Sequence, residues 1–497
     1  MSVTAVIAAN RFGLGTRPGE IKDIEKDPKG WLHSQLKAET SLPAPLRDLP
    51  STVDDLTAFR KWFASIAGKA KAAGVELYPA KIGTMTPEAE MSQTGFSIEG
   101  DYIKTFTPRY ARAVKARFDT AIETDRPFFE RLVHFWSNHF VVSGAKAAAV
   151  ALPPSFERDV IRPNVTGKFA DMLLASSKHP AMLFYLDNYL STGPDSKIGR
   201  DPSLHPATGE LAKLQQSSGL NENLAREICE LHTVGVNGGY DQTDVTNFAK
   251  IITGWTIARP QIVRPLVLAV EGRLNGKGLF QFDDDTHQPG AQRFMGKIYD
   301  QQGVAQGEAV LNDLARHPAT AHFIATKLAR HFCSDDPPQA LVDRLAAIFR
   351  ETDGDLGKVT AALIDSPEPF ASPFGKFRQP EEYLIAAVRG MPGLEVTPRE
   401  LLQTFHGLGQ PVYKPPGPNG WPDVSAEWLA PDSLWKRFEW AGAAAARYGN
   451  SGRDPVQLAE DLLGPTLNDA TRRSIGQAES PAQGLTLMLA SAEFQWR

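Results

Sequence analysis

The sequence predicts a mainly α protein: a multi-helix, bundle-like globular architecture with a small β-hairpin insertion and one long Pro/Gly-rich loop. Three observations carry this. Apolar residues recur at helical spacing through most of the 497 residues. Helix start signals stand ahead of those stretches, such as Asp125-Arg126-Pro127 with Glu130, or His317 before Pro318. Strand-like runs are confined to one short region.

In chain order, residues 1–125 form an N-terminal helical part, with helices expected near 3–11, 18–37, 52–73 and 105–123. The first begins with Val3, Val6 and Ile7 and has no basic residues before it, so it reads as an amphipathic helix and not as a signal peptide. Residues 74–100 show turn residues and little period, and are expected to be a mobile insertion. A central part, 126–300, has helices expected near 125–142, 155–162, 166–176, 180–187, 222–234 and 242–254. Asp241 and Asp244 are expected to cap the last of these, and His179 before Pro180 the fourth. The runs Gln261–Val270 and Gly278–Asp283, split by Gly272–Gly276, predict the hairpin. A C-terminal part, 301–497, has helices expected near 304–315, 318–332, 338–351, 355–365, 379–390, 398–407, 432–447, 454–463, 467–475 and 480–492. Its loop 408–431 is too rich in Pro and Gly for regular structure. Trp421 and Trp428 predict that it packs against the body, and long ordered loops of this kind often carry function.

Composition excludes several classes. Hydrophobic residues are 42% and charged residues 22%, as in an ordinary soluble globular protein. A net charge of −5 gives no reason to expect nucleic acid or an anionic membrane as partner. Two cysteines, Cys229 and Cys333, build no disulfide framework. No window reaches the ~18 apolar residues of a membrane span. There is no P-loop, no dinucleotide fingerprint, no serine-hydrolase elbow and no zincin motif. The chain as written reads as cytoplasmic, or as exported by a route not written in it.

The chemistry-bearing stretch is Asn221–Gly235. Asn221 is a good N-cap. Leu224, Ile228 and Leu231 form one apolar stripe, and Asn223, Glu227 and Glu230 a second stripe beside it. Two carboxylates three residues apart converge on a hard cation, or one raises the pKa of the other. The alternative is that Arg226 neutralises them and the cluster ties helices together. His232 lies roughly 160° from Glu230 on an α wheel and cannot share its site.

His139 sits on the apolar face of the next candidate helix with Leu132, Phe135 and Trp136. It is either a neutral core histidine bonded to a carbonyl, or a ligand or base facing Glu227 or Glu230. His134, Ser137 and Asn138 point elsewhere. The run Asp283-Asp284-Asp285-Thr286-His287 is either a solvated acidic turn or a cation site containing His287. Asp187 is either a C-terminal turn or a site wall. Lys327 and His331 read as packing and carbonyl contacts.

Several landmarks resemble one family. They are Asn10-Arg11-Phe12-Gly13, Phe135-Trp136-Ser137-Asn138-His139-Phe140, the Asn221–Leu231 run, Thr253-Gly254-Trp255, and Pro415 through Trp421. By these the chain resembles the bacterial "domain of unknown function 1800" family over nearly its whole length. The resemblance implies that His139, Asn221, Glu222, Asn223, Arg226, Glu227, Glu230 and His287 are family positions. Family members commonly carry His where this chain has Ser137, often Phe at position 232, and often Asp at position 179. It also implies an extracytoplasmic role beside a co-encoded, sulfatase-like partner.

The functional expectation is a hydrolase-type enzyme using a divalent metal or paired carboxylates. Glu227, Glu230, His139 and Arg226 would do the chemistry. Asn221, Asn223, Asp187 and Trp421 would line the site, and Glu227, Glu230, His139 and His287 would hold any metal. The alternative is a non-catalytic binding or export-partner protein in which the cluster is structural. A haem or redox role for His139 is a third reading, without any C-x-x-C-H motif to support it.

Overall fold

The computed structural model describes residues 1–39, 41–72, 98–146, 149–201, 219–257 and 280–497. Their secondary structure is mainly helical, with two small antiparallel sheets. The capping chemistry follows the sequence closely. Asp241 accepts the Asp244 N–H at 2.9 Å, and the Asp244 carboxylate accepts the Asp241 N–H at 3.2 Å, closing a capping box. His179 and His317 each accept a backbone N–H through Nδ1, from Ala181 at 3.1 Å and Ala319 at 3.2 Å. In both cases proline occupies the first helical position, where its missing N–H costs nothing.

Several boundaries differ from expectation. The stretch 18–37 is two helices, Glu20–Ile24 and Pro28–Ser34, because Asp27 caps a fresh start and Pro28 cannot continue the first. The helix expected at 105–123 begins at Ile98, so the end of the expected 74–100 insertion is helical. Residues 74–97 lie outside the described residues. The helix expected over 125–142 runs only from Pro127 to His139. Three helices pass into π turns: Ala8–Phe12, Glu157–Ile161 and Ile228–His232. A π turn closes i→i+5 bonds and shifts every later side chain around the axis.

The sheet pairs Trp255–Ile257 with Phe280–Phe282. The second strand falls within the expected Gly278–Asp283 run. The expected first strand, Gln261–Val270, lies outside the described residues. A second hairpin, Gln292–Phe294 with Lys297–Tyr299, turns at Met295 and Gly296, both at positive φ. Sequence patterning misses it because methionine is no turn former. Loop 408–431 packs as predicted: Trp428 is buried and its indole N–H donates to the Pro422 carbonyl at 3.0 Å. No described helix is long and apolar enough to cross a membrane.

Two large apolar clusters account for most of the described core. One draws on residues from Ala5 to Ile364, including the Pro127–His139 helix. The other joins Leu14 and Tyr110–Ala121 to Tyr383–Phe494, including the Pro380–Gly390 helix. Buried charge stitches them together. Glu382 accepts from Arg497 Nε at 2.9 Å and Nη2 at 2.8 Å, and from Arg131 across the boundary. Arg497 also donates to the carbonyl of Arg11, and Arg131 Nε to that of Gly13. Here Arg131 and Arg497 tolerate burial because carboxylates and carbonyls receive their N–H groups.

Candidate functional site

The Asn221–Gly235 stretch is more structural than its composition suggests. Asn221 is not the N-cap it was expected to be: that position falls to Glu222, which makes no side-chain cap bond, and Asn221 Oδ1 instead accepts the Asn223 N–H at 2.9 Å in the turn just before the Asn223–Glu227 helix. Arg226 lies between Glu222 and Glu230, at 3.2 and 3.4 Å. Glu222 is in turn held by Thr246 Oγ1 at 2.6 Å and Gln242 Nε2 at 2.8 Å on the neighbouring Gln242–Ile251 helix. This is a helix–helix clasp. Glu227 stands apart. Burial, then the Glu230 charge, pushes its carboxyl up to about 7, although Arg226 opposes this. Asn223 is exposed.

The expected metal ligands do not come together. His139 Nε2 donates to the His232 carbonyl at 3.1 Å, and its ring packs among Trp136, Phe140 and Phe323. Burial holds its pKa well below the ordinary value, so it is neutral. His287 Nδ1 bonds the Thr253 carbonyl at 2.9 Å, beside the Phe282 ring. Among the described residues no group of three or more His, Cys, Asp or Glu is placed to hold a metal ion. Asp187 takes a left-handed turn and binds Lys146 Nζ at 2.6 Å. The same ammonium bonds the Phe184 and Tyr185 carbonyls that end the Pro180–Tyr185 helix.

A polar cavity of about 70 Å³ lies elsewhere, between the Pro127–His139 helix, the Pro380–Gly390 helix and the loop at 410–423. Trp421, singled out from the sequence, lines it. The Asn138 amide clasps the Trp421 backbone twice, donating to its carbonyl at 2.9 Å and accepting its N–H at 2.7 Å. Gly420, at φ +77°, is required there, since a Cβ would lie 2.5 Å from the Asn138 carbonyl oxygen.

The cavity wall is ionic. Arg117 grips Glu381 with two bonds, 2.9 and 3.3 Å, and also reaches Glu157. Ser137 Oγ and Tyr413 OH donate to that same Glu157, at 2.9 and 3.0 Å. Tyr413 is a non-glycine residue held at φ 61°, a strained conformation of the kind that gathers at functional sites. Glu130 pairs with Arg162, and its other neighbour is His134 Nε2 at 3.6 Å. Burial alone would raise the Glu130 carboxyl, but Arg162 and His134 hold it down to about 2.

Two imidazoles, His331 and His134, stand on this wall. His331 Nδ1 lies 3.4 Å from Asp423 Oδ1. Burial lowers its pKa to about 4, so at neutral pH it carries one N–H. Because Asp423 stays ionised, that proton belongs on Nδ1, and Nε2 is left as an acceptor. Nε2 is buried and has no hydrogen-bond partner among the described residues. The His134 ring stands between two carboxylates, with Nε2 3.6 Å from Glu130 and Nδ1 4.0 Å from Glu381.

Sequence reading passed over this constellation. The spacing reads His331 as packing and turns His134, Ser137 and Asn138 off the apolar face, whereas all four line the cavity. A signal existed: Glu130, Arg131, His134, Ser137 and Asn138 form a polar stripe on an otherwise apolar helix. That stripe faces a second core, and Ser137, where the resembling family carries His, faces the cavity.

The fold and cavity define a helical protein of two apolar cores joined by buried arginines and carboxylates, with a polar pocket at the seam. The chain belongs to the DUF1800 family, described as a protein of unknown function, whose model matches residues 7–496. No curated protein and no solved structure matches it.

Proposed function

We propose that this chain is a hydrolase-type enzyme that works by general acid–base chemistry in the cavity between His331 and His134. One observation carries the proposal: His331, beside Asp423 and with an Nε2 that has no hydrogen-bond partner among the described residues, lines one cavity with His134, which stands between Glu130 and Glu381. In this reading Asp423 orients His331, and His331 Nε2 takes a proton from the attacking water. As the water oxygen bonds the substrate and the bond to the leaving group breaks, His331 passes that same proton to the leaving group, so protons and bonds balance across the step, and His134 lines the cavity as a positioning residue. The cavity admits only a small reacting group, and Trp421 bounds it. The Glu222–Arg226–Glu230 helix is a structural clasp in this reading.

The test is a panel of chromogenic carboxyl esters, phosphomonoesters and glycosides with the purified chain. Turnover of one class is expected, with kcat lowered about 100-fold or more in His331→Gln while circular dichroism is unchanged. Absence of turnover on the whole panel, or a variant as active as the parent, would overturn it.

A further inference from the structure

A second polar hollow has no place in that chemistry. Two adjoining clefts of about 270 and 450 Å³ share Ile122, Val388, Gly393 and Leu394, and so form one groove. One end of it is arginine-rich, with Arg17, Arg389 and Arg453. Two of these have evident structural work. Arg389 donates to the Ala121 and Ile122 carbonyls at 2.9 and 3.1 Å, and Arg17 to Ile122 and Thr124 at 2.9 and 3.0 Å. Together they cap the C-terminal end of the Ile98–Glu123 helix, where positive charge is favoured.

Capping leaves a remainder. The Arg389 side chain is fully buried, yet its Nη2 has no hydrogen-bond partner among the described residues. Its nearest charge, Glu20 Oε1, lies 3.6 Å away. Arg17 is matched by Asp125 at 2.8 Å. Arg453 is exposed and makes no ion pair among the described residues. Two of the three positive charges are thus offset and one is not. Gly393 sits on this groove at φ +95°, and the space where a Cβ would stand is open. An unmatched guanidinium, a buried spare donor and an open floor make a receptor for negative charge.

We propose that the arginine end of this groove binds a small oxyanion, inorganic phosphate or the phosphate of a monoester. Arg453 supplies the unmatched charge, Arg389 Nη2 a fixed donor, and Arg17 the adjoining wall. The cleft beyond, where Phe118, Val388 and Leu394 stand among Lys115, Asp119 and Glu395, receives whatever the phosphate is attached to. This site is independent of the acid–base cavity.

The experiment is calorimetric titration of the full chain with inorganic phosphate against sodium chloride of equal ionic strength. Phosphate-specific binding is expected with Kd on the order of 1 mM. Arg453→Gln, an exposed substitution, should weaken it about tenfold or more while leaving the thermal midpoint in chloride unchanged. A phosphomonoester with an apolar body should bind more tightly than phosphate if the groove is used, and this separates the two sources of the anion. No phosphate-specific heat, or equal affinity in Arg453→Gln, would overturn the proposal. A general salting effect would persist in the variant and count against the site.

Discussion

Replacing Gly420 with alanine tests how the cavity loop is held. The residue stands at φ +77°, where a side chain costs about 1–2 kcal/mol. The new Cβ would meet the Asn138 carbonyl oxygen at 2.5 Å and the Asn138 amide oxygen at 2.7 Å. The first of these is helix backbone and cannot swing aside. The loop must therefore withdraw, which breaks the two Asn138–Trp421 hydrogen bonds at roughly 1 kcal/mol each. The sum is about 3–4 kcal/mol. Urea unfolding followed by tryptophan fluorescence measures it, with Gly407→Ala as control, since that glycine ends a helix and has open space around it. The control should be neutral or mildly stabilising. Asn138→Ala removes the same two bonds, so the double substitution should cost clearly less than the sum of the singles. If Gly420→Ala matches the control within ~0.5 kcal/mol, the clasp does not hold the loop and the reasoning fails.

Two further predictions concern protons. Glu227 has its carboxyl raised to about 7, so the folded state binds a proton the unfolded chain has lost. Its charging removes stability as pH rises from the ordinary carboxylate range through 7. Glu227→Gln should therefore be more stable than the parent at pH 8, with the advantage shrinking at pH 5; urea midpoints at both values decide, and an advantage equal at both would refute the assignment. His139, His232 and His331 are buried with lowered pKa values, about 3 for His232 and about 4 for His331. Their contribution is complete above the unfolded histidine pKa, near 6.5, and is lost as pH falls toward 4, at up to ~1.4 kcal/mol per unit for each ring. A parent protein whose stability is flat between pH 7 and 4.5 would show that these rings are not buried neutral.

Much of the fold was readable because helices are local. The caps at Asp241, His179 and His317 involve residues two or three apart, within reach of pattern reasoning. The π turns were not readable, since nothing in a 3.6-residue period announces one extra residue. His232 shows the effect. An α wheel separates it from Glu230, and the structure does bury His232 while Glu230 meets Arg226, but through a π turn. The cavity was illegible for a different reason. Arg117 and Glu381 are 264 positions apart, and Arg131 and Glu382 are 251. Only the packing of the two cores reveals that the polar stripe beside His134 faces protein. Trp421 was found because a tryptophan in a Pro/Gly-rich loop signals docking whatever it docks against.

The Glu382 junction has a consequence for how the molecule comes apart. Its carboxylate sits on one core, Arg131 on the other, and Arg497 holds the same oxygens. Opening either core alone would strand a buried charge without its partner, at about 3–5 kcal/mol. Neither half is thus free to melt first at small cost. The buried ions act less as glue than as a cooperativity device, making one folding unit of two hydrophobic interiors.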